Sequence, residues 1–270
     1  MPEGHTLYRL AKDLRVHFAG DVVEASSPQG RFADGAQFID GRVLETAHSA
    51  GKHLFVSFDN DAIVHVHLGL YGTWPIAALP APPPVGALRL RLVGPSAYGD
   101  LRGPTQCELL DDRGKDAVLA RLGPDPLRAD ADPEAAYRRV SASSRPIGAL
   151  LMDQAVLAGV GNVYRAEVLY RARLHPLTPG SKVSKRRWNA MWRDLVELMR
   201  YGVEVGYIDT VRPEHEPEAM GRPPPIDGRG AEVYVYRRHE QPCLVCGTTV
   251  RTRVLEGRNL YWCPTCQRRR

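Results

Sequence analysis

Four of the five cysteines in this 270-residue chain fall as Cys243-x2-Cys246 and Cys263-x2-Cys266, with sixteen residues between the pairs. Each CxxC turn offers two thiolates, and two such turns supply the four sulfur ligands of one tetrahedral structural zinc ion. Disulfides are the other use of such a pattern, but no sequence feature speaks for an oxidising compartment, so a single structural Zn2+ is expected. Cys107, inside the strand-like run QCELL, reads as a small buried hydrophobe.

The second candidate is the start, MPEGHT. Methionine before proline is normally removed, which would leave a secondary amine on Pro2. An α-amine titrates at about 7.7–8.0, well below a lysine side chain. A helix starting just behind it would lower that value further through the positive end of its dipole. Such an amine attacks carbonyl-like carbon and forms an iminium ion, and Glu3 stands next to it as acid or base. A purely structural helix start would read the same way.

Three further stretches carry candidates. In AGKHLF, Lys52 sits at a glycine turn just before a strand. AGVGNVYRAE puts two glycines and Asn162 at a helix start, where backbone amides bind phosphate; a tight turn that binds nothing is the alternative. Between the cysteine pairs lie Arg251, Arg253 and Arg258, with Tyr261 and Trp262 beside them. A basic hairpin stapled by a metal suits insertion into a nucleic-acid groove.

These residues need elements to hold them. Leu7, Leu10, Ala11, Leu14 and Phe18 recur at helical spacing, which predicts an amphipathic helix over 4–18. From about 20 to 112, HLFVSF, AIVHVHL, LRLRLV and CELLDD alternate with turn residues and predict a β-sandwich or barrel, with LPAPPPV as a loop between strands. GPDPL and DPE mark a boundary, and DPEAAYRRV opens a helix with Asp132 as cap and Pro133 in the first turn. Two apolar-faced helices are expected on either side of AGVGN, then a third over SKRRWNAMWRDLVELMRYG. Residues 203–230 read as a long mobile loop, and the remainder as strand, knuckle, hairpin, knuckle. The expected fold class is α+β and multidomain. It has an N-terminal helix with a β-sandwich over 1–122, a helical domain over 123–228 and a zinc hairpin over 229–270.

Charge is distributed unevenly. Residues 1–136 carry 13 Lys and Arg against 18 Asp and Glu, and 201–228 carry 2 against 6. In contrast, 137–200 carry 12 against 4, and 229–270 carry 9 against 3. Two basic blocks in an otherwise acidic chain point to a polyanionic partner, although two solvated basic faces would look alike. No apolar run approaches 18 residues and no export or lipidation signal is present, so a cytoplasmic protein without a membrane partner is expected.

Taken together, MPEG, AGKHLF, HLGLYGTW, GVGNVYRAEVLYRARLHP and VYRRHEQPCLVCGTTV followed by EGRNLYWCPTCQ resemble the formamidopyrimidine-DNA glycosylase and endonuclease VIII family of base-excision repair enzymes, over essentially the whole length. The resemblance implies a helical domain of the helix–two-turn–helix type. It implies a bifunctional DNA glycosylase and AP lyase, with Pro2 as the nucleophile that forms a Schiff base and Glu3 as the acid that assists base loss. Lys52 would contact backbone phosphate and donate a proton, and Asn162 and Arg258 would grip the phosphates beside the lesion. Glu167 would support the active site at the DNA. Leu70 and Tyr71 resemble the endonuclease VIII wedge, with Gly69 in place of a larger polar residue, so the wedge is expected to be smaller or to borrow from a loop near Tyr98. His5 and Thr6 also depart from the family pattern, and His5 reads as a helix-start residue, with a place in the pocket lining as the alternative. Implied too are damaged double-stranded DNA as partner, a monomer, action at the nucleoid, oxidised pyrimidines as lesions, and strand nicking by β- then δ-elimination. A non-catalytic zinc-ribbon DNA-binding protein and an AP lyase with little glycosylase activity are the competing readings.

Overall fold

In the computed structural model, residues 2–223 and 231–269 are described. The chain divides into two compact units, Met1–Arg121 and Leu122–Arg270.

The first unit opens with helix α1 (Gly4–Phe18), whose predicted apolar stripe is buried throughout. Eight strands follow: β1 (Val22–Ser26), β2 (Arg42–Ala50), β3 (His53–Phe58), β4 (Ile63–His67), β5 (Ile76–Ala78), β6 (Leu88–Val93), β7 (Ala97–Arg102) and β8 (Gln106–Leu110). They form one antiparallel sheet in the order β5-β7-β6-β1-β2-β3-β4-β8. β1 pairs with β2 at Val22 and Val23, then with β6 from Glu24 to Ser26. That change of partner splits the sheet into two halves around one core, in which Leu44, Val56 and Val66 join Leu90, Leu92, Leu101 and the α1 stripe. The proline-rich stretch at 79–85 is a loop between β5 and β6, as expected.

A short helix within the β region, α2 (Ala33–Ile39), and another just after it, α3 (Asp112–Leu119), were not expected. Tyr98 itself lies within β7, next to the β6–β7 loop, with the Arg91 guanidinium 5.3 Å from its ring centre.

The second unit begins with α4 (Pro133–Ser141), capped as predicted by the Asp132 side chain, which accepts from the Glu134 N–H at 2.8 Å. The first of the two helices expected around AGVGN is a single turn, α5 (Ile147–Leu150). Turns run from it to α6 (Asn162–Arg171) because the Gln154 amide clamps the loop, donating to the carbonyls of Met152 and Val160 and accepting from Gly159 N–H. α7 (Lys185–Val205) is the predicted third helix, capped by Ser184 and stopped by Gly206 at φ 83°. α4 to α7 enclose a core built on Trp188, Tyr164, Leu157 and Met199.

Of the loop expected over 203–230, the first three residues belong to α7 and Pro213–His215 form a 3-10 turn. Residues 224–230 lie outside the described residues, as does the expected boundary at 228. The hairpin is β9 (Arg251–Leu255) and β10 (Arg258–Trp262). The run VYVY at 233–236 is not the expected strand. None of the described helices is long and apolar enough to cross a membrane.

Candidate active site and nucleic-acid interface

In the first unit, Glu3 is the N-cap of α1, in extended backbone at φ −126°, and is fully buried. Pro2, immediately before it, is half-buried. The chain turns into the helix through the Thr6 N–H, which donates to the Glu3 carbonyl at 2.9 Å. His5 is 4% exposed and belongs to the first helical turn, as read from the sequence. Burial first, then neighbouring positive charge, pushes its pKa down to about 4. A neutral imidazole is what a helix N-terminus tolerates.

Lys52 follows Gly51, at φ 58°, in the turn between β2 and β3, the two strands on which α1 packs. Beside it lies a network that sequence reasoning missed. His53 Nδ1 is 2.9 Å from His65 Nε2, and His65 Nδ1 is 2.9 Å from Glu108 Oε1. His67 pairs with His53 across β3 and β4, and its Nδ1 is 2.9 Å from the Thr105 hydroxyl. Burial first and the facing His65 next push His53 down to about 4. His67 is lowered too, by burial and then by the Lys52 charge. The alternation in IVHVH was the available signal, because a period of two puts both histidines on one face.

From the end of β4 the chain leads to Leu70, 38% exposed, and Tyr71, 87% exposed. Two adjacent large apolar side chains offered to solvent suit insertion into a base stack. Gly69 explains itself locally: its φ is +69°, and a Cβ there would stand 2.3 Å from Thr105 Cγ2. The departure at this position is therefore a turn requirement.

In the second unit the structure brings Asn162 to the hairpin. Asn162 is the first residue of α6, and its side-chain amide donates to the Asn259 carbonyl at 3.0 Å. Arg165, 1% exposed, also bonds the Asn259 carbonyl at 3.0 Å and reaches the Asn162 side-chain oxygen. This buried guanidinium was not anticipated; it acts as a clasp between α6 and β10. Exposed Arg258 immediately precedes Asn259, at the start of β10 after the Glu256–Gly257 turn. Arg145 steadies that turn through Glu256 at 3.0 Å while also holding Asp153 at 2.8 Å.

Glu167 does not face a ligand. It is fully buried, and Oε2 accepts from the Thr210 hydroxyl at 2.6 Å and Tyr234 N–H at 2.7 Å. Oε1 accepts from Val235 and Tyr236 N–H at 2.9 and 2.8 Å. Burial pushes its pKa upward, and these four donors pull against that. All its lone pairs are spent on backbone and Thr210, so it cannot also contact DNA. The same bonds explain the missing strand: the N–H groups of 234–236 go to a carboxylate rather than to a ladder.

The four cysteine sulfurs all lie within 4.8 Å of one another. Sγ–Sγ distances are 3.9 Å for Cys243 to Cys266 and 3.4 Å for Cys246 to Cys263. A tetrahedral ion with zinc–sulfur bonds of about 2.3 Å needs sulfurs about 3.8 Å apart, so the set fits zinc. Around it, Tyr170 Oη is 3.1 Å from Cys243 Sγ, and the Thr248 and Thr265 hydroxyls join the two knuckles at 2.8 Å.

An N-terminal proline and a buried glutamate leading into a helix on a sheet, a helical unit and a four-cysteine hairpin define a class, and comparison with known proteins gives it its name. Residues 1–107 match the formamidopyrimidine-DNA glycosylase N-terminal domain, 122–212 its H2TH domain, and 240–269 the zinc finger found in FPG and IleRS. The chain belongs to the formamidopyrimidine-DNA glycosylase family, and is an enzyme of that DNA-repair class with a zinc-binding finger. Among its relatives, Endonuclease 8 1 of Mycobacterium tuberculosis is 54% identical over 271 residues, covering 99% of this chain and 100% of that protein. The crystal structure of the MutM (Fpg) protein from Thermus thermophilus is similar at a TM-score of 0.76, with 28% identity and 98% of each chain covered. Lactococcus lactis Fpg, non-covalently bound to AP-site-containing DNA, shares the fold at a TM-score of 0.78 and 21% identity, covering 99% of this chain and 100% of that one.

Proposed function

We propose that this chain is a bifunctional DNA glycosylase and AP lyase that removes oxidised pyrimidines from duplex DNA, working as a monomer in the cytoplasm at the nucleoid. The observation that carries the reading is the start of α1, where half-buried Pro2 precedes the fully buried carboxylate of Glu3. With Met1 removed, the Pro2 nitrogen attacks C1′ of the damaged nucleotide. The bond from C1′ to the base breaks, and the base leaves with a proton. Glu3 supplies the proton that opens the sugar ring, and the amine proton is lost as the iminium forms. The iminium acidifies the C2′ proton; its removal expels the 3′ phosphate, and a second elimination expels the 5′ phosphate. Lys52 binds backbone phosphate and donates a proton, Leu70 and Tyr71 fill the space left by the extruded nucleotide, and Asn162 and Arg258 hold flanking phosphates. Zinc, when bound by Cys243, Cys246, Cys263 and Cys266, supplies a rigid hairpin rather than reaction chemistry. The full-length relationship to Endonuclease 8 1 supports the oxidised-pyrimidine preference.

Borohydride reduction with abasic duplex DNA tests the nucleophile. A covalent adduct is expected from protein whose intact mass shows Met1 removed, and no adduct from such protein overturns the mechanism in favour of a non-catalytic DNA-binding protein. Base release from duplexes carrying thymine glycol, 5-hydroxycytosine or 8-oxoguanine tests the lesion class. Release of the two pyrimidines in preference to 8-oxoguanine is expected. Cleavage of abasic DNA with release of none would leave only an AP lyase.

A further inference from the structure

Five arginines line a groove of about 560 Å3 in the second unit: Arg171 from α6, Arg186, Arg187 and Arg193 from α7, and Arg212 from the segment that follows. The one acidic side chain there, Asp194, is committed to Arg171, whose Nε lies 2.8 Å from its carboxylate and which also donates to the Thr210 carbonyl at 2.6 Å. Among the described residues, the other four make no ion pair. Two of these arginines, Arg186 and Arg187, share the first turn of α7 with Lys185, and that turn holds no acidic residue. That arrangement sets like charges against each other and against the positive end of the helix dipole. Glu134 offsets Lys185 at 2.9 Å, which leaves the groove arginines unbalanced.

Guanidinium groups pair with phosphate in a two-point fork, so four of them around one groove suit an anion rich in phosphates. Arg186 and Arg193 are two helical turns apart, about 10 Å along the axis. One phosphate cannot span them, so the ligand must carry several. The groove adjoins Arg171 and Ala172, at the end of α6 opposite Asn162 and about 15 Å from it along the helix. It is thus separate from the phosphate contacts assigned to Asn162 and Arg258.

We propose that this groove is a second anion site, taking a run of phosphates from a nucleic-acid backbone or from a free nucleoside triphosphate. The inference does not rest on the roles given to Pro2, Asn162 or Arg258. Exposed Arg186 and Arg193 can be replaced by glutamine, which keeps helix propensity and a polar side chain while removing the charge. In the full-length, zinc-loaded protein, sodium triphosphate should raise Tm and shift the fluorescence of Trp192, next to Arg193 on α7. R186Q/R193Q should weaken that binding on the order of 10-fold or more, the reduction expected when two charge-assisted hydrogen bonds are removed. R193Q alone should lie between. Borohydride trapping on a short abasic duplex should be unchanged by these variants, which separates failure here from failure of the proposed mechanism. If backbone is the ligand, the slope of log affinity against log salt for a long undamaged duplex should fall by roughly 2 in the double variant, about 0.9 for each phosphate that no longer has a cationic partner. If a free nucleotide is the ligand, ATP binding weakens and the slope stays. Should wild type bind neither triphosphate nor ATP, and the duplex slope match that of R186Q/R193Q, the site does not exist.

Discussion

The two units hold their candidate site residues by different physical means. In the first, Lys52, His67 and Tyr71 hang from the ends of strands paired in a large sheet, and α1 docks on the same apolar core that the sheet encloses. In the second, residues 231–269 have only β9 and β10 for regular structure and a small core around Tyr170, Tyr234 and Tyr261. Their order comes from a few polar anchors. Glu167 holds 234–236, Gln267 ties Leu174 to Cys263 at 3.0 Å each way, and Asn162 with Arg165 grips Asn259. A segment too small to be held by burial alone concentrates its stability in single groups. A sheet spreads it over many.

The largest break in that contrast should come from zinc. Chelation, or Cys263→Ser, should unfold the hairpin and abolish DNA binding, because apparent free energies of structural zinc sites are on the order of 10 kcal/mol or more. The sheet of the first unit should remain folded. Hydrogen exchange read separately over 42–67 and 251–262 checks this; equal loss of protection in both would show that the units do not differ in the way described.

Next comes Glu167→Gln. The amide nitrogen would face N–H groups that now donate to a carboxylate, leaving at least one buried donor unmet. A loss of about 2–4 kcal/mol is expected, since hydrogen bonds to a charged group count more than neutral ones and an unmet buried donor adds its own penalty. Protection at Tyr234 to Tyr236 should disappear while that of β3 and β4 persists. Unaltered protection there would mean that the carboxylate is not the anchor.

This carboxylate also shows where sequence reading reached its limit. The α1 stripe, the Asp132 cap, the α7 pattern and the cysteine spacing were all legible, because each is set by residues a few positions apart. VYVY at 233–236 carried β propensity, but its partner is one glutamate almost seventy positions earlier, and tertiary bonding overrode the local preference. The same holds for Arg165, whose acceptor is the carbonyl of Asn259, and for the pairing of His53 with His65. α2 escaped because seven residues carrying a glycine give too little periodicity to separate from strand. At the candidate site, residue types were legible from MPEG, AGKHLF and AGVGN, while the histidine network beside Lys52 needed the register of β3 on β4.

Acid should load the first unit through buried imidazoles. His5 and His53 have pKa values pushed down to about 4, against 6.5 for the free side chain, with burial the first cause in both. Between about pH 6.5 and 4 the unfolded chain takes up protons that the folded chain refuses, so stability falls as pH falls through that window and is fully present above it. His53→Gln should flatten the decline in Tm of the first unit between pH 6.5 and 4 relative to wild type. An identical decline would mean that His53 is not held neutral by its surroundings.

The smallest change tests whether a strand end in the first unit positions Leu70 and Tyr71 as tightly as Glu167 positions 234–236. Gly69→Ala meets two obstacles, the left-handed backbone at φ +69° and the 2.3 Å approach to Thr105 Cγ2. Strain of this kind costs on the order of 1–3 kcal/mol. Thr105→Ser removes the methyl group and keeps the hydroxyl that lies 2.9 Å from His67 Nδ1. The double variant should therefore recover the steric part and retain the backbone part, so that G69A loses about 2 kcal/mol and G69A/T105S about 1 kcal/mol. If the two variants lose the same amount, the clash with Thr105 is relieved by a shift of the loop. Tyr71 is then carried by a segment that yields, and the contrast with the anchored backbone at 234–236 runs the other way.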